Sequence, residues 1–481
     1  VTTDSRWVVL DNKDPDAVAG PEIDRANATD LMEFLTDTTG HPNIVAAVLM
    51  LDGTPSLAEL RHALEERIRA VPRMRRLLVR SPFGCGRAIW VDDPNFDIDN
   101  HVGTIDTYRG TEFEALEYAA ELAAARVRDY RPLWSSYLIT HLEGGRSALL
   151  ITLHHVLADG IGGIATLSKL VDDAPPVPLG KFPQPRPGRG ALFRDAVRTR
   201  ARAVRNLPAG VRKVAAAASE LGLSGTRRAP KTSLNRKTQR HRTLWVARAE
   251  LAAVRATGHK YDATVNDVLL TAVSGTLGKL LRHRGETVDR LVVSVPVSAR
   301  KEANVTELGN QVGAMLVEVP LSGDPFERLA TIAETTRKRK SQTRGTSAVL
   351  LTPALRGLGW LGLLRLYVRR QRRVNTFVTN VRGPKERLSL LGIPVREVIP
   401  VGYTTGNVTV SFTALSYAGR LVVTATTDRM IFGESGDSRM LANELQAQLD
   451  ILTMPQLSLP ETTDTKAESD PTGPDAGESD H

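Results

Sequence analysis

Two blocks of alternating strand-like and helix-like runs, separated by an arginine-rich stretch, limit what this chain can fold into. In the first block, residues 26–180, NIVAAVLML has the continuous apolar character of a buried strand. The following SLAELRHALEERIRAV carries apolar residues three and four apart, which predicts a helix with Ser56 as its N-cap. In the second block, residues 242–460, TLWVARA, RLVVSVPVS, GNQVGAMLVEVPL, NTFVTNV, VTVSFTALSYAG and RLVVTATTD read as strands, and ATVNDVLLTAVSGTLGKLLRHRG reads as a helix. Such alternation predicts an α/β fold. A chain of 481 residues is too long for one ordinary core, so the two blocks predict two lobes.

The remaining segments fall outside these lobes. Residues 1–25 form a leader, and residues 461–481 are acidic without large apolar side chains, the composition of a disordered tail. Residues 181–241 are a basic crossover: from Arg186 to Arg242 only Asp195 and Glu220 oppose the arginines and lysines, which concentrates the net charge of +9. Helical spacing there is broken by Pro208, Gly210 and Gly222, so the stretch reads as a surface connection between lobes. It carries no base-reading motif, and its aromatic residues are limited to Phe182 and Phe193, so nucleic acid is not the expected partner. A solvated linker and a docking surface for anionic lipid headgroups both remain open. A second apolar run, SAVLLTPALRGLGWLGLLRLYVRRQRR, reads either as buried core or as a lipid-facing helix.

The single cysteine, Cys85, rules out an intramolecular disulfide. No secretory signal pattern opens the chain, and no run of about 18 apolar residues occurs in it, so a cytoplasmic protein that does not span the membrane is expected. With no Cys/His cluster and no HExxH spacing, no metal site is expected.

The chemistry is concentrated in SALLITLHHVLADGIGGIATLSKLV. A strand-like run ends in His154 and His155, a short turn follows, and Asp159 and Gly160 open a helical pattern. Neighbouring residues of a strand face opposite sides, so only one imidazole can face a given cleft. An imidazole titrates near neutrality and can take a proton from a hydroxyl as that hydroxyl attacks a carbonyl carbon. The chain has no GxSxG elbow, and its only thiol lies in an unrelated turn, so direct transfer without an acyl-enzyme is the simpler scheme. Asp159 either pairs with an arginine to orient the loop or caps the helix at Gly160. The glycines at 160, 162 and 163 allow close backbone approach.

HHVLADG resembles the HHxxxDG motif of the bacterial wax ester synthase/diacylglycerol acyltransferase family. Peptide-synthetase condensation domains share that motif, and chloramphenicol acetyltransferases share it more loosely. Further blocks resemble the wax ester synthase branch in order: FDIDNHV (96–102), RPLW (131–134), SLN (233–235), TVNDVLL (264–270), PVSAR (296–300), LGNQVG (308–313), NVRGP (380–384) and LSYAGRL (415–421). Two positions depart from the family pattern. Arg382 stands where NVPGP is usual, and Ser135 stands where an acidic residue often follows PLW.

The resemblance implies two chloramphenicol-acetyltransferase-like lobes, as in condensation domains, meeting at a substrate tunnel. It implies a peripheral membrane or lipid-droplet enzyme that transfers an acyl group from long-chain acyl-CoA, as co-substrate and without a further cofactor, to diacylglycerol or a fatty alcohol. His155 is the implied general base, with His154, Asp159 and Gly160 supporting its geometry. Pro132, Leu133 and Trp134 either line the acyl path or belong to the core. Asn266 and Asp267 either touch substrate or cap a helix. Asn310 and Asn380, in strand-end turns, bond backbone groups or the developing oxyanion. Two other readings stay open: a condensation-type enzyme with a carrier-protein donor or another acceptor, and a non-catalytic lipid-surface protein.

Overall fold

The computed structural model describes residues 8–9, 23–27, 31, 43–125, 131–157, 163, 166–172, 181–205, 228–298, 312–342, 370–404, 406–433 and 436–454. In chain order its strands begin with β1 (Val8–Val9), β2 (Ile44–Leu51), β3 (Arg76–Arg80), β4 (Ile89–Asp92), β5 (Val102–Asp106), β6 (Trp134–Leu142) and β7 (Arg146–His154). They continue with β8 (Arg242–Glu250), β9 (Arg290–Ser298), β10 (Val312–Pro320), β11 (Thr376–Arg382), β12 (Ser389–Leu390), β13 (Ile393–Val401), β14 (Val410–Tyr417) and β15 (Arg420–Asp428). The α-helices are α1 (Leu57–Arg67), α2 (Glu112–Ala123), α3 (Arg189–Arg205), α4 (Leu251–Lys260), α5 (Val265–His283), α6 (Pro325–Gln342), α7 (Arg429–Gly433) and α8 (Asp437–Thr453). The α/β pattern read from the sequence is the observed one. At the start of α1, Ser56 and Glu59 form a reciprocal capping box that satisfies two otherwise orphaned N–H groups.

The strands build two six-stranded sheets, β12-β13-β2-β7-β6-β5 and β10-β9-β11-β14-β15-β8, and a small sheet β1-β3-β4. The first sheet does not come from the first block alone. β13 pairs antiparallel with β2 from Val395↔Leu51 to Val401↔Ala46, so a segment of the second block completes the sheet of the first. The division at residue 242 expected from the sequence therefore misplaces Ser389–Val401, because strand pairing depends on an edge offered elsewhere in the chain.

Each face of the second sheet has its own partner. On β15, Leu421, Val423 and Ala425 point into a core shared with α5 and α8, including Val268, Leu445 and Leu449. The alternate residue Val422 joins Ile44, Val48, Ile139 and Leu150 of the first sheet and Ala115 and Ala119 of α2. Full burial of a Val or Leu side chain stabilises by roughly 1.5–3 kcal/mol, so this two-sided packing joins the lobes as well as filling each one. A polar clamp adds to it. Arg248 of β8 reaches Glu112 of α2 at 2.7 Å and Glu397 of β13 at 2.7 Å, and these two carboxylates hold its pKa above the usual arginine value.

Part of the basic crossover is docked on the protein. Leu192 of α3 packs with Leu77, Val79, Cys85, Ile89 and Val91 of the small-sheet region. Arg25 binds Asp195 at 2.5 Å and the Leu192 carbonyl at 3.0 Å. Residues 206–227, residues 347–369 of the apolar run, and the acidic tail lie outside the described residues.

Candidate active site

β7 carries the two histidines to the junction of the lobes. Its last residue, His154, pairs with Ile44 of β2, and its N–H donates to Leu133 O on the β6 side at 2.9 Å. The next N–H, of His155, donates in the opposite direction to Asn43 O at 2.8 Å. Consecutive amides pointing to opposite neighbours are what extended backbone in mid-sheet requires. The chain then turns: Leu157 N–H donates to His154 O at 2.8 Å, and Val156 N–H donates to His154 Nδ1 at 3.1 Å. A ring nitrogen that accepts an N–H carries no proton, so neutral His154 holds its hydrogen on Nε2. With its ring folded under the turn and only 2% of the residue exposed, His154 braces the backbone.

His155 is half-buried, and its ring meets Tyr403 edge-on, with centroids 6.0 Å apart and planes at 81°. Tyr403 stands on the segment that leaves β13 in the first sheet and enters β14 in the second. That segment is tightly held. A Cβ on Gly402 would lie 2.4 Å from Thr413 Oγ1, so only glycine permits this approach to the second sheet. Ser411 Oγ donates to Tyr403 O at 2.9 Å, and Arg242 donates to Thr404 O at 3.2 Å. Burial pushes the Arg242 pKa down to about 10, partly offset by Asp428. His155 thus stands at the end of one sheet and faces the strap that ties it to the other.

The other residues singled out from the sequence occupy different surroundings. Asp159, Gly160 and Asn310 lie outside the described residues. Pro132, Leu133 and Trp134 are all buried, and the latter two belong to the first lobe's core. Trp134 N–H folds back to Pro132 O at 2.9 Å, a γ-turn contact, and its indole donates to Met74 O at 2.7 Å. Ser135, the departure after PLW, bonds Thr152 through their hydroxyls at 2.7 Å.

Asp267 closes a capping box with Thr264 at the start of α5 and accepts from Thr336 Oγ1 at 2.7 Å. Asn266, one residue earlier, accepts from Asn380 Nδ2 at 2.5 Å. Asn380 lies within β11 and not in the turn expected for it. Alternation puts it on the face shared with Val378 and Ala414, covered by α5. The sequence reading had Asn380 both in the strand NTFVTNV and in a strand-end turn, and the structure keeps it in the strand. In β11 the Asn266 amide supplies the partner that lets it stay in the strand.

Three further features lacked a role in the sequence reading: Tyr403, the Asn43 carbonyl and His101 of FDIDNHV. A cavity of about 360 Å³ opens beside His101 and is also lined by Asp93, Asp97 and Arg131. Neither His154 nor His155 lines it.

The sequence pattern described as the wax ester synthase/diacylglycerol acyltransferase catalytic domain matches residues 27–269, and that described as the WS/DGAT C-terminal domain matches residues 308–453. The chain belongs to this family. Among its relatives is the Mycobacterium tuberculosis (strain H37Rv) protein named "probable diacylglycerol O-acyltransferase tgs1". It is 31% identical over 409 residues, 82% of this chain and 88% of the relative. The solved wax ester synthase/diacylglycerol acyltransferase of Marinobacter aquaeolei VT8 superposes with a TM-score of 0.63 at 21% identity, covering 89% of this chain and 99% of that one. The first condensation domain of the calcium-dependent antibiotic synthetase follows at a TM-score of 0.60 and 16% identity, covering 92% and 98%. At these identities the two structures speak for the fold, which this acyltransferase shares with both. Among its described residues, no helix is long and apolar enough to cross a membrane.

Proposed function

We propose that this acyltransferase moves the acyl group of a long-chain acyl-CoA directly onto the hydroxyl of diacylglycerol or a fatty alcohol, with His155 as general base. His155 removes the hydroxyl proton as the oxygen bonds to the thioester carbonyl carbon. The carbon–sulfur bond then breaks, and the departing CoA sulfur takes up the proton as a thiol. The observation that carries this reading is the division of labour between the two histidines: the His154 ring is bonded into the turn, while the His155 ring stands against Tyr403 of the segment that links the two sheets. Asp159 and Gly160 are assigned to shaping the loop that follows, and Asn310 to the substrate path.

Substrates of this kind reside in lipid, and α3 has the character of an interfacial helix. Phe193 and Val197, 52% and 44% exposed, lie one turn apart among exposed Arg194, Arg198 and Arg202. Each basic residue near anionic lipid contributes about 1 kcal/mol to adsorption. These features support a peripheral position on a membrane or lipid droplet.

The test is release of free CoA from palmitoyl-CoA with dipalmitoylglycerol or hexadecanol as acceptor, for the wild type and His155→Ala. Acceptor-dependent release that falls about 10²–10⁴-fold in the variant is expected. Folded wild-type protein that releases no CoA with either acceptor would turn the reading toward a carrier-protein donor.

A further inference from the structure

The FDIDNHV segment brings a histidine into the foundation of the catalytic turn. His101, 4% exposed, lies between Phe96 and Trp134 with all three rings nearly parallel: centroids are 5.3 Å and 4.6 Å from its own, at 15° and 14°. Its Nδ1 is 2.9 Å from Trp134 O. A carbonyl oxygen only accepts, so the imidazole donates from Nδ1. The His101 carbonyl in turn accepts Ser136 N–H at 2.7 Å. The Trp134 residue is thereby fixed at three points: its N–H to Pro132 O, its indole to Met74 O and its carbonyl to His101. The carbonyl just before it, of Leu133, projects toward β7 and accepts the N–H of His154.

We propose that His101 is a positioning residue for the acyl transfer: by holding the Trp134 peptide it sets the Leu133 carbonyl, and through that carbonyl the backbone from which His155 projects. The assignment rests on His155 being the base. A purely apolar ring would stack between Phe96 and Trp134 equally well. Burying an imidazole there costs desolvation, which also holds its pKa below the usual histidine value, and among the described residues what the polar ring gains in return is the Nδ1 hydrogen bond to Trp134 O. The effect expected of such a brace is large, because displacing reacting groups by about 1 Å can lower the rate about 10²-fold.

Two amide replacements separate positioning from packing. Asn carries its side-chain N–H near the place of Nδ1, whereas Gln carries it about one bond farther out, near the place of Nε2. CoA release from palmitoyl-CoA, with the acceptor the wild type uses, is measured for wild type, His101→Asn, His101→Gln, His101→Phe and His155→Ala, alongside each Tm. The Asn variant is expected to keep kcat within about threefold of wild type, and the Gln and Phe variants to lose about 10–100-fold, with KM for palmitoyl-CoA unchanged within about twofold. Should the Phe variant fail to fold, the Asn and Gln pair carries the comparison. Equal kcat in the Asn and Gln variants, or losses that follow Tm alone, overturn the role given to His101. His155→Ala that keeps wild-type kcat removes the base reading, and with it the purpose assigned to His101. Abolished turnover in that variant, together with indistinguishable Asn and Gln variants, overturns His101 alone.

Discussion

The rings of His155 and Tyr403 meet T-shaped at 81°, and Tyr403 stands on the segment that runs from the first sheet to the second. Such aromatic contacts contribute about 0.5–1.5 kcal/mol beyond burial, so Tyr403→Ala should cost about 1 kcal/mol of orientation. That corresponds to a kcat roughly fivefold lower, against the far larger loss expected of His155→Ala. Steady-state CoA release on the two variants checks the ranking. A Tyr403 variant as dead as the His155 variant would give the tyrosine a part in the chemistry itself.

The clamp at Arg248 is a second target. Its Nη2 serves Glu112 and Glu397 while its Nε reaches Glu397 Oε1 at 2.8 Å, and the Glu397 side chain is only 8% exposed. Arg248→Met would leave a buried carboxylate without its cation. Because the arginine is one-third exposed, the cost should be about 2 kcal/mol, below that of a fully buried pair. Thermal unfolding should show a lower midpoint for Arg248→Met and recovery of most of the loss in Arg248→Met/Glu397→Leu.

At the start of α5, Asp267 accepts from the backbone and hydroxyl of Thr264 at 2.7 Å each. Removing such a cap costs about 0.5–2 kcal/mol. Asp267→Ala should therefore lower the unfolding midpoint, while turnover per folded molecule and KM for acyl-CoA stay near wild type. A selective rise in KM at unchanged stability would instead place Asp267 on the substrate.

The stability of the first lobe should also respond to pH through His101. Burial lowers its pKa in the folded chain, opposed by the Trp134 carbonyl and by Asp93 and Asp97, while Arg131 adds to the lowering. Above about pH 6.5 the ring is neutral in folded and unfolded chains alike. As pH falls below that, the unfolded chain binds the proton first, so stability declines until the folded-state pKa is passed. Midpoints measured at pH 7.5, 6.5 and 5.5 should fall more steeply for the wild type than for His101→Phe.

Strands such as IVAAVLML and LVVTATT were legible because their apolar runs are long and bounded, and α1 because its cap and spacing agree, whereas Arg76–Arg80, Ile89–Asp92 and Ile393–Val401 were not read as strands. The histidine motif was legible because its residue types name a chemistry. What escaped was set by partners distant in sequence. Nothing in IPVREVIPV says that its neighbour is Ile44–Leu51, and nothing near Tyr403 says that it meets a histidine some 250 positions earlier. Asn380 was misread for the same reason, since the group that satisfies it sits on a helix begun at Val265.

The strand exchange limits how the protein can be taken apart. A fragment ending at the crossover would lack β13 and expose β2, eight apolar residues long, as an open sheet edge. Bare apolar edges recruit other strands, so such a fragment is a candidate for aggregation rather than a self-sufficient domain. Split reporters, truncated immunogens and domain-swap chimeras of this enzyme must therefore carry Ser389–Val401 with the first half.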